Sequence, residues 1–349
     1  VKKILVAGQG IAGTVLAWTL RARGATVVLA DAGYPEISSA VAAGIINPVT
    51  GKRFVKSWRF DECYAAARRT YQSMEAALGV RAWYDLPILR LLNNTEEVNN
   101  WAARAGQPDY TGLVELAPDP GLWANFVLPG FRYGLVPQAA RVDFSALMCG
   151  LRDLAIRENW YLPREITHAE TEQLAAEYDH VIFCEGYRAF SNPFFPGLGW
   201  QLAKGEALLV RFPGDNQSAD IRTMLKKSMM MVPLGDGVFW AGGSYNWTFD
   251  GGQPTAGERE YILNGLHDML RAPFEIVGHR AAVRPTVKDR RPFIGLNAAN
   301  PKIGIFNGMG TKGALLTPYW AEHFADHLLE GTALDPTVDI QRFSARQGL

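Results

Sequence analysis

KILVAGQGIAGTVLAWTLRARGATVVLAD, residues 3–31, is the stretch that decides the fold. Lys3 to Ala7 is a short aliphatic run that reads as a strand, and Val15, Leu16, Thr19 and Leu20 then recur at helical spacing. Gly24 stops that helix, and Ala25 to Ala30 reads as a second strand ending on Asp31. Between strand and helix stand Gly8, Gly10 and Gly13. Gly8 permits a tight turn, Gly10 lets backbone amides approach a pyrophosphate, and Gly13 lets helix and strand close up. The amino end of the helix, with Ile11 and Ala12, adds positive partial charge, and Asp31 lies where an acid would accept hydrogen bonds from a ribose diol. Strand, glycines, helix, cap, strand and acid in this order predict a dinucleotide-binding βαβ unit. NAD and FAD fit it equally well.

The rest of the chain bounds the class. It has 349 residues, 48% of them apolar, with 35 Lys+Arg balanced by 35 Asp+Glu. No apolar run approaches the roughly 18 residues of a membrane span, and this length suggests about two domains with a well-buried core. Zero net charge argues against a polyanion partner, so nucleic acid is not expected. Cys63, Cys149 and Cys184 are too few and too dispersed for a disulfide framework and read as inert thiols in a reducing compartment. The opening KKILVAG starts a strand at once, and the location expected on these grounds is the cytoplasm.

A second glycine motif separates the two cofactors. Ile303 to Phe306 reads as a strand, Asn307 leads into Gly308, Gly310, Thr311, Lys312 and Gly313, and Leu315, Leu316, Tyr319, Trp320, Phe324 and Leu328 then form an amphipathic helix. Pro318 is placed in its first turn, where it is tolerated. A nicotinamide enzyme needs one such helix start; FAD can use one for its pyrophosphate and the other near the isoalloxazine carbonyl.

From here the chain resembles the D-amino-acid oxidase and glycine oxidase family of FAD-dependent oxidoreductases, from end to end. The resemblance is carried by VAGQGIAG with Asp31, SSAVAAGIINP at 38–48, RVDFSAL at 141–147, VIFCEG at 181–186, VRPTVKDRRPFIG at 283–295 and NGMGTKGALLTP at 307–318. Three features depart from the pattern: Asp31 where Glu is usual, VIFCEG where a small-residue turn is common, and Arg290 where Gly often stands. The stretch NPVTGKRFVKSW, 47–58, also resembles a bacterial subgroup near the FAD domain of the bifunctional protein that completes methylaminomethyl modification of tRNA wobble uridine.

The resemblance implies an α/β fold: a Rossmann-like FAD-binding domain gathered from residues 1–85, 140–200 and 285–349, with a smaller antiparallel-sheet substrate domain from 86–139 and 201–284. It implies non-covalent FAD held by Gly8, Gly10, Ile11, Ala12, Gly13 and Asp31; by Ser38, Ser39, Ala42, Ala43, Gly44 and Ile45; by Ile166 and Gly186; and by Gly308, Gly310, Thr311, Lys312 and Gly313. The activity implied is oxidation of the C–N bond of a small amino acid or N-substituted amino acid, by hydride transfer to the flavin, with oxygen or another acceptor taking the electrons. Arg284 is then the fork that grips the substrate carboxylate, Tyr245 a residue that closes the pocket from the substrate sheet, and Lys312 a charge beside the flavin. Lys204 and Lys288 are weaker candidates for a charge that assists oxygen. Two alternatives are removal of a carboxymethylaminomethyl-type group from a tRNA nucleoside and a non-catalytic flavin-binding protein.

Other features read more plainly. In the substrate domain, 202–212, 229–234 and 237–245 read as strands, with Met229 to Met231 in the core; 61–78 reads as a helix and 104–121 as an ordered surface loop. His323 and His327, four apart on the last helix, lack a third ligand and read as a helix-surface pair, so no metal site is expected. Gly51-Lys52 lacks the spacing and the Ser or Thr of a phosphate loop. Lys52, Arg53, Lys56 and Arg59 are read as a solvated face or as a neutraliser of a large anion.

Overall fold

The parallel sheet follows from four short runs rich in β-branched and aliphatic residues, the pattern of strands covered on both sides. In the computed structural model, which describes residues 1–214 and 217–346, Lys3–Ala7 is a central strand, with Ile4, Leu5 and Val6 fully buried. It pairs in parallel with Thr26–Ala30 on one side and His180–Phe183 on the other. Tyr161–Leu162 and Ile303–Asn307 extend the sheet in parallel, and Phe293–Leu296 closes one edge antiparallel, giving the order 161–162, 26–30, 3–7, 180–183, 303–307, 293–296. The helices Ile11–Ala22 and Phe60–Leu78 both pack against Gly313–Glu330 beside this sheet.

An eight-stranded sheet faces it, in the order Glu275–Arg284, Ala203–Arg211, Val238–Gly242, Met230–Gly235, Met224–Lys226, Ile88–Leu92, Arg132–Val136, Glu115–Leu116. Every pair is antiparallel except Met224–Lys226 with Ile88–Leu92. Period-two alternation sorts its side chains onto two faces. Leu208, Val210, Leu225, Met231 and Phe239 pack with Trp123, Phe126 and Phe212 in one cluster, whereas Ala207, Met230, Val232 and Trp240 turn toward the rest of the molecule. A three-stranded sheet of Ile45–Ile46, Ala140–Val142 and Trp83–Asp85 lies beside the two large sheets.

Three expectations need correction. Pro318 is not in the first turn: the helix starts at Gly313 after a 3₁₀ turn over Gly310–Lys312, so the proline sits in its second turn and cannot donate to Ala314. The helix runs on to Glu330 because Leu315, Leu316, Trp320 and Phe324 are buried and hold it in place. Residues 104–121 are not one surface loop; a helix ends at Ala105, Pro108–Tyr110 makes a turn, Glu115–Leu116 joins the sheet edge, and Tyr110, Leu113 and Val114 are buried anchors. The strand expected to reach residue 245 stops at Gly242, which leaves Tyr245 outside the sheet.

Candidate active site

Chain reversals at the carboxyl ends of parallel strands open on one side of a sheet, which is where doubly wound folds build ligand crevices. Here Gly8, Asp31, Gly186 and Gly310, each just beyond such a strand, line one cavity of about 560 Å³. Its opposite wall is the inward face of the eight-stranded sheet, with Gly205, Ala207, Met230, Trp240 and Gly242. Trp240 donates from Nε1 to the Val41 carbonyl at 2.9 Å and so ties the second wall to the first.

The glycines of the first motif divide by what requires them. A Cβ on Gly8 would lie 2.6 Å from the Cys184 carbonyl oxygen, and one on Gly13 would lie 1.8 Å from the Gly8 carbonyl, so the protein's own packing demands both. Gly10 differs: its φ is −74° and the nearest atom to a Cβ would be Ser39 Oγ at 3.3 Å. The chain alone does not require glycine there, and Gly10 lies on the cavity wall. A backbone left bare toward a cavity at a helix start suits an anionic ligand. The Ile11 amide donates to Ser39 Oγ at 2.9 Å, fastening the segment 38–45 against the helix start. Asp31 accepts from the Gln9 and Gly33 amides, both at 2.7 Å, and Arg152 stands 3.8 Å away.

Most of the residues singled out from sequence converge on this cavity. Ile11, Ala12, Ser38, Ser39, Ala42, Ala43, Gly44, Ile45 and Ile166 lie on its wall, as do Thr311, Gly313, Tyr245 and Arg284. Gly13, Gly308 and Lys312 are not part of that wall. Gly308, at φ +74°, is packed against Phe293 and Val287. Lys312 turns away and donates from Nζ to Ser57 Oγ at 3.2 Å. Burial, and then Arg290 and Arg291 nearby, hold its pKa below the usual lysine range. Lys312 thus contributes backbone to the turn beside the cavity, while its amine points to Ser57 and off the cavity wall.

Arg284, at the end of its strand, is partly buried, and burial lowers its pKa. Nη1 donates to the Ser244 carbonyl at 3.0 Å, and the guanidinium carbon lies 5.3 Å from the centre of the Tyr245 ring. Among the described residues it has no carboxylate partner within ion-pair distance. Gly205 makes its place, since a Cβ there would fall 1.8 Å from Nη2. Tyr245 is 43% exposed with its ring against Trp247, a position at the cavity mouth.

The remaining candidates lie elsewhere. Lys204 is buried and paired with Glu206 at 2.8 Å, and Lys288 is exposed. Lys56 pairs with Asp61 and Arg59 with Asp335, and neither lines the cavity, nor do Lys52 and Arg53. His323 accepts from the Asp335 amide and His327 Nδ1 lies 2.7 Å from the Thr332 carbonyl, so both fasten the segment after the last helix. Burial pushes the Cys63 thiol up to about 12 and Cys184 well above its ordinary value. Sequence reasoning missed Gly205, Trp240, Met230 and Lys226 as wall residues; no motif marks them, and only strand register brings them there.

The chain matches, over residues 3–327, the family model described as FAD dependent oxidoreductase. It is 23% identical to a glycine oxidase of Pseudomonas putida over 373 residues, covering 97% of this chain and 96% of that one. It is 26% identical to a putative thiamine biosynthesis oxidoreductase of Rhizobium etli, covering 94% and 96%. In fold it resembles a glycine oxidase of Bacillus cereus, with a TM-score of 0.74 at 15% identity covering 95% and 96%. It also resembles an iminodiacetate oxidase of a Chelativorans species, with a TM-score of 0.73 at 19% identity covering 97% and 98%. With the family model spanning nearly its whole length, and two glycine-opened helix starts on one cavity, the chain belongs to the family of FAD-dependent oxidoreductases.

Proposed function

We propose that this protein oxidises the C–N bond of a small amino acid or N-substituted amino acid. The observation that carries the reading is Arg284: a guanidinium on the cavity wall with no acidic partner among the described residues, seated over a glycine that leaves it room. A planar cationic fork in that setting suits a carboxylate. The cofactor side is the opposite wall. The turn from Gly8 to Gly13 would meet the pyrophosphate of FAD, Asp31 the ribose, and the segments 38–45 and 310–313 the flavin end, held without a covalent bond. When bound, FAD supplies the two-electron acceptor for the oxidation.

The chain's own residues do the positioning. Arg284 fixes the carboxylate, so the adjacent Cα–H is presented to the cofactor wall at close range, where orientation lowers the barrier. Met230 and Trp240 exclude water, and Tyr245 covers the mouth. The described wall includes no histidine; in this reading the substrate amine arrives neutral from solvent, and the imine product hydrolyses there. The test is anaerobic titration of the purified holoprotein with glycine, sarcosine, a D-amino-acid panel and carboxymethylaminomethyl-modified tRNA, following flavin bleaching. Bleaching by small amino acids supports the reading. Bleaching by the tRNA alone, or by nothing, replaces it with one of the two alternatives. Peroxide formed on admitting air then tells an oxidase from a dehydrogenase.

A further inference from the structure

Lys226 belongs to the cavity wall but has no part in the reading above. Its place follows from register: Lys226 is opposite Met230, Met230 opposite Gly242, and Gly242 opposite Ala207. Residues paired across a sheet share a face, so these four form one row along the cavity floor. Gly205, two residues from Ala207 and on the same face, carries the Arg284 guanidinium. The strand of Lys226 is three strand spacings from the strand of Gly205, on the order of 14 Å. The floor between them is made by Ala207, Gly242 and Met230, with the Trp240 indole against Gly242. One cavity thus has a cation at each end of its floor.

The second cation is as uncompensated as the first. Lys226 Nζ donates to the Ser228 carbonyl at 3.1 Å, and among the described residues it has no carboxylate partner. On the next strand Arg90 stands directly opposite it, over the Phe54 ring, with a buried Nε that has no hydrogen-bond partner. Burial and then the Arg90 charge bring the Lys226 pKa down to about 8. Lys226 thus faces the cavity without a counter-ion and beside a second cation, and an incoming anion relieves their repulsion.

We propose that the substrate is an amino acid with a second acidic group, the first carboxylate held by Arg284 and the distal one by Lys226. This rests on the carboxylate-clamp reading of Arg284 and narrows it to amino dicarboxylates. Glycine or sarcosine would fill only the Arg284 end.

The test compares glutarate with butyrate, unreactive probes that differ in the second carboxylate, by their dissociation constants for the FAD-loaded full chain. Wild type should favour glutarate by about 10- to 100-fold, the worth of one charge-assisted pair. Lys226→Met should bring the two ligands to near parity and Lys226→Arg should keep the preference. The oxidation rates of amino dicarboxylates relative to glycine should fall in the same way in Lys226→Met. Equal affinities in wild type, or a preference that survives Lys226→Met, overturns the proposal. Should Lys226→Met fail to fold, Lys226→Gln takes its place, with flavin content as the control. Arg284→Met separates the two readings. If it weakens neither probe, the clamp assignment fails, while the Lys226 comparison still stands or falls on its own ratio.

Discussion

Lys204 and Arg284 lie on paired strands, where Ala203 is opposite Arg284 and Lys204 opposite Val283, yet they have opposite surroundings. Lys204 is 2% exposed and bound at 2.8 Å to Glu206, itself 1% exposed. Glu206 also accepts from the Thr255 amide and hydroxyl, and His279 Nε2 lies 2.7 Å from it. That cation is satisfied by the protein. Arg284 has only backbone carbonyls and an aromatic ring. A buried charge is tolerated when paired and costly when not, so a pair completed within the fold reads as structure and one left for a ligand reads as function. Without the pairing, the two cations look alike in sequence.

Substitutions can break that contrast. The largest expected effect is that of Arg284→Ala, which leaves a substrate carboxylate desolvated and unpaired at a cost of about 3–5 kcal/mol. That corresponds to roughly 10²- to 10³-fold or more in kcat/KM, with flavin content kept. Anaerobic flavin reduction measures it, and wild-type rates at low substrate concentration would end the clamp assignment. Arg284→Lys should recover only part, because a point charge cannot supply two parallel donors.

On the other side of the comparison, Glu206→Ala should strand the Lys204 ammonium and destabilise the fold by about 3–5 kcal/mol. Its signature is a lowered melting temperature, whereas the double variant Lys204→Met with Glu206→Leu should recover part of that loss, since only the Thr255 donors and His279 then lack their partner. Equal melting of Glu206→Ala and wild type would show that the pair does not hold the sheet.

Gly205→Ala sharpens the contrast without touching either charge. Its Cβ would occupy the place of Arg284 Nη2, so the guanidinium must shift and KM should rise by roughly tenfold, about 1.4 kcal/mol, with little change in melting temperature. An unaltered KM would mean that the guanidinium position is immaterial.

The smallest effect concerns acid. Burial raises the Glu206 pKa, but donation from Lys204 and Thr255 outweighs it, leaving the carboxyl below its usual range. A depressed folded-state pKa contributes stability that is present above the unfolded value and lost as pH falls through the folded one. Melting should therefore decline below the ordinary carboxylate range more steeply in wild type than in the Lys204→Met, Glu206→Leu double variant. Parallel declines would assign the acid sensitivity to other carboxylates.

Much of the cofactor side is legible in the chain itself, because its signals are local. Gly8 and Gly13 are demanded by atoms a few residues away or on the adjoining strand, and Asp31 ends the strand that the same motif begins. On the wall proposed for the substrate, the sequence singles out only Arg284 and Tyr245, through resemblance. The apolar run predicts a strand through Tyr245, whereas the regular ladder ends at Gly242 and only an isolated bridge of Asn246 with Lys204 follows, and GGSY carries no mark of that break. Lys312 sits within the glycine motif, yet at the end of the 3₁₀ turn its amine reaches Ser57, off the cavity wall.

Local chemistry in the chain was enough to establish a dinucleotide-binding βαβ start, a second glycine-opened helix and hence an FAD-type fold, since these depend on short-range sterics and on periodicity. Which cations are paired was decided only in three dimensions. Lys204 and Glu206, two residues apart on one strand, share a face, which alone does not say that they meet, while Lys226 and Arg284 are far apart in the chain and come to one cavity because four intervening strand pairings fall in register. Register is a long-range outcome of whole-sheet packing: a slip of one residue would turn Lys226 to the opposite face, and no residue near it in sequence records which face was chosen.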